Sequence, residues 1–168
     1  LTNLNKYLFM DDFEDIRPYR DDEVRPVVER LLQDTALSSA LAKFKHPLLY
    51  KFFPGWVTTK AHAILAEEIA HVQTIHDVQQ IIEKYLDALI ESTTTSLTSA
   101  GLESLDKSQP YLFMSNHRDI TMDPALCNYM IYHHGMDTLQ IAIGDNLLQR
   151  PFLTDLMKLN KSFIVKRS

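Results

Sequence analysis

The hydrophobic positions of the first ninety or so residues recur at the three- and four-residue spacing of amphipathic helices. The clearest stretch is DDEVRPVVERLLQD, whose apolar positions are Val24, Val27, Val28, Leu31 and Leu32. Pro26 suits only a first turn, so this helix should begin near Asp22. Further helices are predicted over ALSSALAKF, KHPLLYKFF, TTKAHAILAEEIAHVQ with a cap at Thr58 or Thr59, and HDVQQIIEKYLDALIES. Residues 1–92 are therefore expected to form a small helical bundle.

Near residue 92 the pattern changes to short apolar runs that alternate with helical stretches. The runs STTTSLTSAG, PYLFMSN, TLQIAIGDN and KSFIVKR predict strands, and DPALCNYMIYHHG and RPFLTDLMKLN predict helices. In the first of these helices Asp123 should be the N-cap, Pro124 the first helical residue and Gly135 the stop. The expected fold class is α/β (α+β overall): a helical region over 1–92, then part of an α/β domain with a mixed sheet over 93–168.

Composition narrows the functional classes. With 45% hydrophobic and 23% charged residues, the chain is that of a globular protein. A net charge of −5 does not favour binding to nucleic acid. Cys127 is the only cysteine, so no intrachain disulfide can form. The chain also lacks the run of about 18 apolar residues that a membrane-spanning helix needs.

Two features of the helical region invite functional interpretations. The aromatic stretch LLYKFFPGW, with Trp56, could contact a membrane or a partner, because Trp and Tyr suit boundaries between water and apolar surroundings. Packing in the core is the favoured interpretation, since most large aromatic side chains pack inside. Glu68 and His71 have the spacing of carboxylate-bridged metal bundles, but no second copy of the motif follows. No metal is therefore predicted.

The candidate for catalysis is His117, in the stretch MSNHRDITMDP between a predicted strand and a predicted helix. Sites in α/β proteins gather at the carboxyl ends of strands. A histidine acts as a general base when a carboxylate holds its ring in one tautomer. Asp119 and Asp123 are both within reach along the chain. The alternative is a polar turn in which Asp123 only caps the helix.

Two further stretches could bind an anion. The turn GDNLL follows a predicted strand, and Gly144 permits a tight turn whose backbone amides could hold an anion. Lys166 and Arg167 follow the strand FIV and could grip a phosphate, Arg167 by a bidentate fork. The alternatives are an ordinary turn and solvated cations at a strand edge.

Together, FMSNHRDITMDPAL, IAIGDNLL and SFIVKRS resemble the glycerolipid acyltransferase superfamily, which includes glycerol-3-phosphate and 1-acylglycerol-3-phosphate acyltransferases. The resemblance covers residues 93–168. It implies that His117 is the general base and Asp123 the acid that orients it. It also implies that the substrate is bound by Arg118, Gly144, Asn146, Lys166 and Arg167, with Arg167 the better candidate for the phosphate.

The resemblance further implies an O-acyltransferase that moves a fatty acyl group from acyl-CoA or acyl carrier protein to a hydroxyl. The acceptor would be glycerol 3-phosphate or a lysophospholipid-like molecule. No cofactor is expected besides the acyl thioester as co-substrate. Such an enzyme is expected in the cytoplasm, with peripheral contact on the cytoplasmic face of a membrane. The alternative is a non-catalytic helical module that binds a partner or a membrane, with a remnant α/β domain.

Two departures from the family pattern bear on the site. The family spaces its histidine and aspartate by four residues, whereas five residues separate His117 from Asp123. Asp119 is therefore the fallback partner. The Gly-Arg-rich third motif and the proline-containing fourth motif of the family do not occur before Ser168. We accordingly expect that the native protein continues beyond the C-terminal end of this chain.

Overall fold

The computed structural model describes residues 13–116 and 118–167. This described part contains seven α-helices and two β-strands. In chain order they are α1 (Asp21–Gln33), α2 (Thr35–Lys45), α3 (Pro47–Phe52), α4 (Pro54–Ile69), α5 (Ile75–Thr93), α6 (Met122–His133), β1 (Ile141–Gly144), α7 (Pro151–Leu159) and β2 (Ser162–Val165). Single turns of 3-10 helix lie at Leu102–Ser104 and Asp145–Leu147.

The chain divides into two compact units. One contains the described residues up to Gln79 together with those from Ala142 onward, and the other contains Gln80–Ile141. The first unit thus joins the N-terminal helices to the C-terminal strand–helix–strand segment. The sequence boundary at residue 92 stays a prediction.

Helix α1 forms as the apolar spacing predicts, and its buried residues are Val24, Val27, Val28 and Leu31. Its start at Asp21 places Pro26 in the second turn, so the expectation that Pro26 lies in a first turn is wrong. A proline there lacks the N–H that would bond the carbonyl of Asp22. The burial of the valines on either side of Pro26 compensates for this lost bond.

Helices α2, α3 and α4 pack around a small core of Ala42, Val57 and Ala61, with Leu41 and Tyr50 against it. Helix α4 begins at Pro54, so neither Thr58 nor Thr59 caps it. A proline at the first helical position explains this earlier start, because its fixed φ suits the helix and its missing N–H is not needed there.

Helix α7 is tied to the N-terminal segment by buried polar contacts. The Asp155 carboxylate, only 7% exposed, accepts from Tyr19 Oη at 2.7 Å and from Arg30 Nε and Nη2 at 2.9 and 2.8 Å. Buried Lys158 donates to the carbonyl of Asp15 at 3.2 Å and lies over the Tyr19 ring. These contacts hold α7, and with it the start of β2, in a defined place within the first unit.

The second unit is held by contacts between α5 and α6. Tyr129 Oη donates to Asp87 Oδ1 at 2.7 Å. Half-buried Glu83 lies 3.2 Å from His133 Nε2. Gly135 adopts a left-handed φ of 81°, and its N–H donates to Tyr132 at 2.8 Å, so it stops α6 as predicted.

Two of the four predicted strands do not form. Helix α5 continues through Thr93, where the hydroxyls of Ser92 and Thr93 donate back to the carbonyl of Leu89 at 3.0 and 2.7 Å. The remaining residues of STTTSLTSAG, and PYLFMSN over 110–116, are described but lie outside any strand. Alternating apolar residues form a strand only when a neighbouring strand pairs with them. Neither run has such a partner among the described residues.

The other two predicted strands are confirmed as β1 and β2, which pair with each other in a two-stranded parallel sheet. Helix α7 connects them, as a parallel pair requires. The α/β class is therefore confirmed, although in the described residues the sheet is parallel rather than mixed. No helix in the described part of the chain is both long and apolar enough to cross a membrane.

Candidate active site

Asp119 organises the start of α6. Its Oδ1 accepts from the backbone N–H groups of Thr121 and Met122 at 2.8 and 2.7 Å. Thr121 is the N-cap residue of the helix, so the prediction that Asp123 is the N-cap is wrong. The five-residue spacing after His117 leaves room for a turn of its own, and Asp119 supplies the acceptor for the first free amides of the helix.

Asp123 lies in the first turn of α6 and bonds in the opposite direction along the chain. Its Oδ2 accepts from the backbone N–H groups of Arg118 and Asp119 at 2.5 and 3.0 Å. The Arg118 nitrogen belongs to the peptide bond that joins residue 118 to His117. The carboxylate therefore lies beside the loop backbone that directly follows the predicted base.

His117 itself lies outside the described residues, so the pairing of its ring with Asp123 or Asp119 stays a prediction. Arg118 is exposed on the same loop, and its role in substrate binding also stays a prediction. A carboxylate that accepts two backbone hydrogen bonds has its position fixed by the fold rather than by its own rotamer preference. Such a carboxylate is suited to orient a neighbouring imidazole.

The second cluster lies where β1 and β2 end. A Cβ added to Gly144 would meet Asn146 Oδ1 at 2.5 Å and the Arg167 guanidinium at 3.0 Å from Nε. The φ of Gly144 is −71°, which any residue can adopt. A tight turn does follow Gly144, at Asp145–Leu147, but this φ shows that the turn does not require a glycine. Gly144 provides space, and its bare Cα lets the guanidinium of Arg167 and the amide of Asn146 come close to the strand end.

The two cations after β2 have different surroundings. The backbone N–H of Arg167 donates to Asp145 Oδ2 at 3.3 Å, and this bond holds Arg167 beside the turn after β1. The Lys166 ammonium forms an ion pair with the carboxylate of Asp15. The hydrogen bond from Lys166 lowers the pKa of Asp15 below its usual value. Of the two predicted phosphate ligands, Arg167 is thus the one beside Gly144 and Asn146.

Sequence reasoning missed Asp15 and Asp145. Asp145 directly follows the candidate Gly144 in GDNLL, so its place in the sequence could have indicated it. Asp15 is 151 residues from Lys166 along the chain, and nothing local connects the two. The sequence also did not show that Asp119 binds the first amides of α6 while Asp123 binds the amides of the preceding loop.

Other titratable residues do not join these clusters. In the described ranges no group of three or more His, Cys, Asp or Glu side chains is arranged to hold a metal ion. Burial raises the pKa of the half-buried Cys127 thiol, which disfavours the reactive thiolate.

A carboxylate fixed against the backbone amides of a loop is a feature found in group-transfer enzymes, and so, separately, is an arginine beside a glycine at the ends of paired parallel strands. Within that class, residues 96–168 match the family model described as Acyltransferase. Both clusters fall inside the matched segment, which is thus an acyltransferase domain. The comparisons with curated proteins and with solved structures gave no match.

Proposed function

We propose that this protein is an O-acyltransferase of glycerolipid type, with His117 as general base and Asp123 as the residue that orients it. The acyl donor would be acyl-CoA or an acyl carrier protein. The acceptor would be glycerol 3-phosphate or a lysophospholipid-like molecule. The observation that carries the proposal is the contact of Asp123 Oδ2 with the Arg118 and Asp119 amides, inside a segment that matches an acyltransferase family.

The hydrogen bonds of the two aspartates support the choice of Asp123. Asp119 bonds forward, to the first amides of α6, and its replacement would remove a helix cap. Asp123 bonds backward, to the peptide nitrogen that follows His117. A partner for the histidine must be held near the residue it orients, and the bond from the Arg118 amide to Asp123 supports the choice of Asp123 over Asp119.

In the proposed step His117 takes the proton from the acceptor hydroxyl as the oxygen attacks the thioester carbonyl. A new ester C–O bond forms through a tetrahedral intermediate, and the C–S bond then breaks. The departing thiolate takes the proton from the imidazolium, so the histidine returns to its neutral form. Asp123 stabilises the transient positive charge on the ring.

The strand-end cluster would bind the phosphate of the acceptor. Arg167 is placed against Gly144, and a guanidinium can form two parallel hydrogen bonds to a phosphate. Asn146 offers an amide beside it. Lys166 is paired with Asp15, so we assign it a supporting role through its charge rather than direct contact. We further propose that the enzyme works in the cytoplasm at a membrane surface, where lipid acceptors and products reside.

The proposal is tested by the release of free thiol from acyl-CoA in the presence of glycerol 3-phosphate or lysophosphatidate. We expect His117→Ala to abolish turnover, because no other group in the site is assigned to remove the proton. Asp123→Asn keeps the size of the side chain but removes its charge, and should lower kcat by at least about a hundredfold, within the range of general acid–base effects.

Asp106→Asn provides a matched control. Asp106 is also an exposed loop carboxylate that accepts from a backbone amide, that of Ser108 at 2.9 Å, but it belongs to neither cluster. We expect it to retain wild-type kcat. A larger loss of kcat in Asp119→Asn than in Asp123→Asn would make Asp119 the partner. Wild-type turnover in His117→Ala, or equal inactivity of wild type and variants with every acceptor and donor, would favour the non-catalytic alternative.

A further inference from the structure

Helices α2, α3 and α4 expose a set of large apolar side chains on their outer surface. Phe44 is 86% exposed, Leu48 76% and Phe52 69%, while Phe53 and Trp56 are each 61% exposed. We call this surface the aromatic face; its members are Phe44, Leu48, Leu49, Phe52, Phe53 and Trp56. The expectation that LLYKFFPGW packs in the core therefore holds for Tyr50 but is wrong for the exposed residues Leu48, Leu49, Phe52, Phe53 and Trp56.

The geometry of the helices accounts for the exposure of these side chains away from the small core. Leu48 and Phe52 are four residues apart on α3 and therefore lie on the same side of it. On α4 the core contacts are made by Val57 and Ala61, which leaves Trp56 on a different side. The three helices are already packed through their inner sides, so the exposed apolar residues are not needed for that packing.

The segment of the chain that carries the aromatic face is basic. Residues 35–66 contain four lysines and neither aspartate nor glutamate, although the whole chain carries a net charge of −5. All four are exposed on the same three helices: Lys43, Lys45, Lys51 and Lys60. The opposite charge of the rest of the chain makes this segment a distinct basic region.

We infer that the aromatic face docks on an anionic lipid bilayer. Aromatic side chains insert at the boundary between headgroups and acyl chains, and lysines around them are attracted to anionic headgroups. A second copy of this chain is a poor occupant, because two such faces would bring lysines of like charge together. The inference goes beyond the proposed reaction and depends on residues 43–60, outside the acyltransferase segment.

Trp56 is the only tryptophan of the chain and belongs to the face, so its fluorescence reports docking directly. The full chain is mixed with phosphatidylcholine vesicles with and without phosphatidylglycerol. We expect a blue shift of Trp56 emission and flotation of the protein with the anionic vesicles. High salt should weaken both effects, because it screens the attraction of the lysines.

Two sets of variants separate the apolar contribution from the charged one. Phe52→Ser with Phe53→Ser removes two exposed rings and should lower the vesicle partition coefficient by at least about tenfold. The matched control is Tyr85→Ser with Leu89→Ser, an exposed pair on α5 outside the face. Lys43, Lys51 and Lys60 changed together to Gln should cause a similar loss on anionic vesicles only, and Lys84→Gln is the control.

The inference is overturned if Trp56 emission does not shift with anionic vesicles at low salt, or if the Phe52 and Phe53 variant binds as well as the control. Emission that is already blue-shifted without vesicles, and that moves to the red on dilution, would show that another copy of the chain covers the face. Turnover of a short-chain, water-soluble thioester should be unchanged in the Phe52 and Phe53 variant. Failure of docking can thus be distinguished from failure of the proposed chemistry.

Discussion

Replacement of Gly144 by alanine should weaken acceptor binding without lowering the stability of the fold. The new Cβ would lie 2.5 Å from Asn146 Oδ1 and 3.0 Å from Arg167 Nε, both closer than normal contact. Both atoms belong to side chains that can rotate away, so the backbone need not move. The φ of −71° suits alanine, and the smaller freedom of the unfolded chain should stabilise the fold by about 0.4–1 kcal/mol.

The displaced groups are the ones proposed to bind the acceptor phosphate. A hydrogen bond to a charged group contributes about 1.5–3 kcal/mol, so the loss of the Arg167 contact should raise the KM for glycerol 3-phosphate by roughly 10- to 150-fold. The KM for the acyl thioester should change little. The measurements are initial rates against the concentration of each substrate, together with thermal unfolding of the same preparation.

Arg167→Ala serves as the reference, because it removes the guanidinium without a steric change at residue 144. We expect the two variants to raise the acceptor KM to a similar extent, and the double variant to add little to either. An unchanged acceptor KM in Gly144→Ala would refute the role of this cluster in acceptor binding. A fall in the melting temperature would show instead that the site cannot relax by side-chain rotation.

Three further predictions concern stability. Asp155→Ala leaves Tyr19 and Arg30 without their buried acceptor and should lower the free energy of unfolding by about 1–3 kcal/mol, as measured by urea denaturation. An unchanged free energy of unfolding would mean that water replaces the lost carboxylate as acceptor. Burial, and then the bond to Asp155, raises the pKa of Tyr19 to about 12; a bond to a carboxylate does the same for Tyr129. The stability that these two tyrosines contribute is complete below the ordinary tyrosine pKa of about 10 and should be lost as the pH rises towards 12. The loss is measured by the phenolate absorbance, which should appear at a higher pH than for a free tyrosine, and by unfolding in alkali. Gly135→Ala forces a left-handed φ of 81° on a side chain and should lower stability by about 1–2 kcal/mol, measured by thermal unfolding, with no effect expected if α6 can end one residue earlier.

Most helices of this protein could be predicted from the sequence, because a helix depends on residues that are close together along the chain. The spacing of Val24, Val27, Val28 and Leu31 predicts both the helix and its buried side, and the structure confirms both. Pro54 and Gly135 set helix ends through their own backbone preferences. The acyltransferase segment was also recognisable from short motifs, and the family match over 96–168 confirms it.

Strands and exposure depended on what lay elsewhere in the chain. STTTSLTSAG and PYLFMSN have strand-like patterns but no pairing partner in the described structure, whereas β1 and β2 have each other. LLYKFFPGW has the composition of a core segment, yet of its aromatic rings only that of Tyr50 packs against the small core of Ala42, Val57 and Ala61, and Phe52, Phe53 and Trp56 are exposed. Propensity describes what a segment can become, and packing decides which option is used.

By itself the sequence determined the helices, the strand–helix–strand segment at the C-terminal end, and the motifs that indicate an acyltransferase. Only the tertiary structure paired Lys166 with Asp15 and brought Arg167 against Gly144. The physical reason is that helical hydrogen bonds join residues three or four apart, whereas ion pairs and close backbone approaches join residues that only folding brings together. The two aspartates of the loop needed both kinds of information. The sequence motif identified Asp119 and Asp123 as candidates, and only the folded loop showed which backbone amides each carboxylate binds.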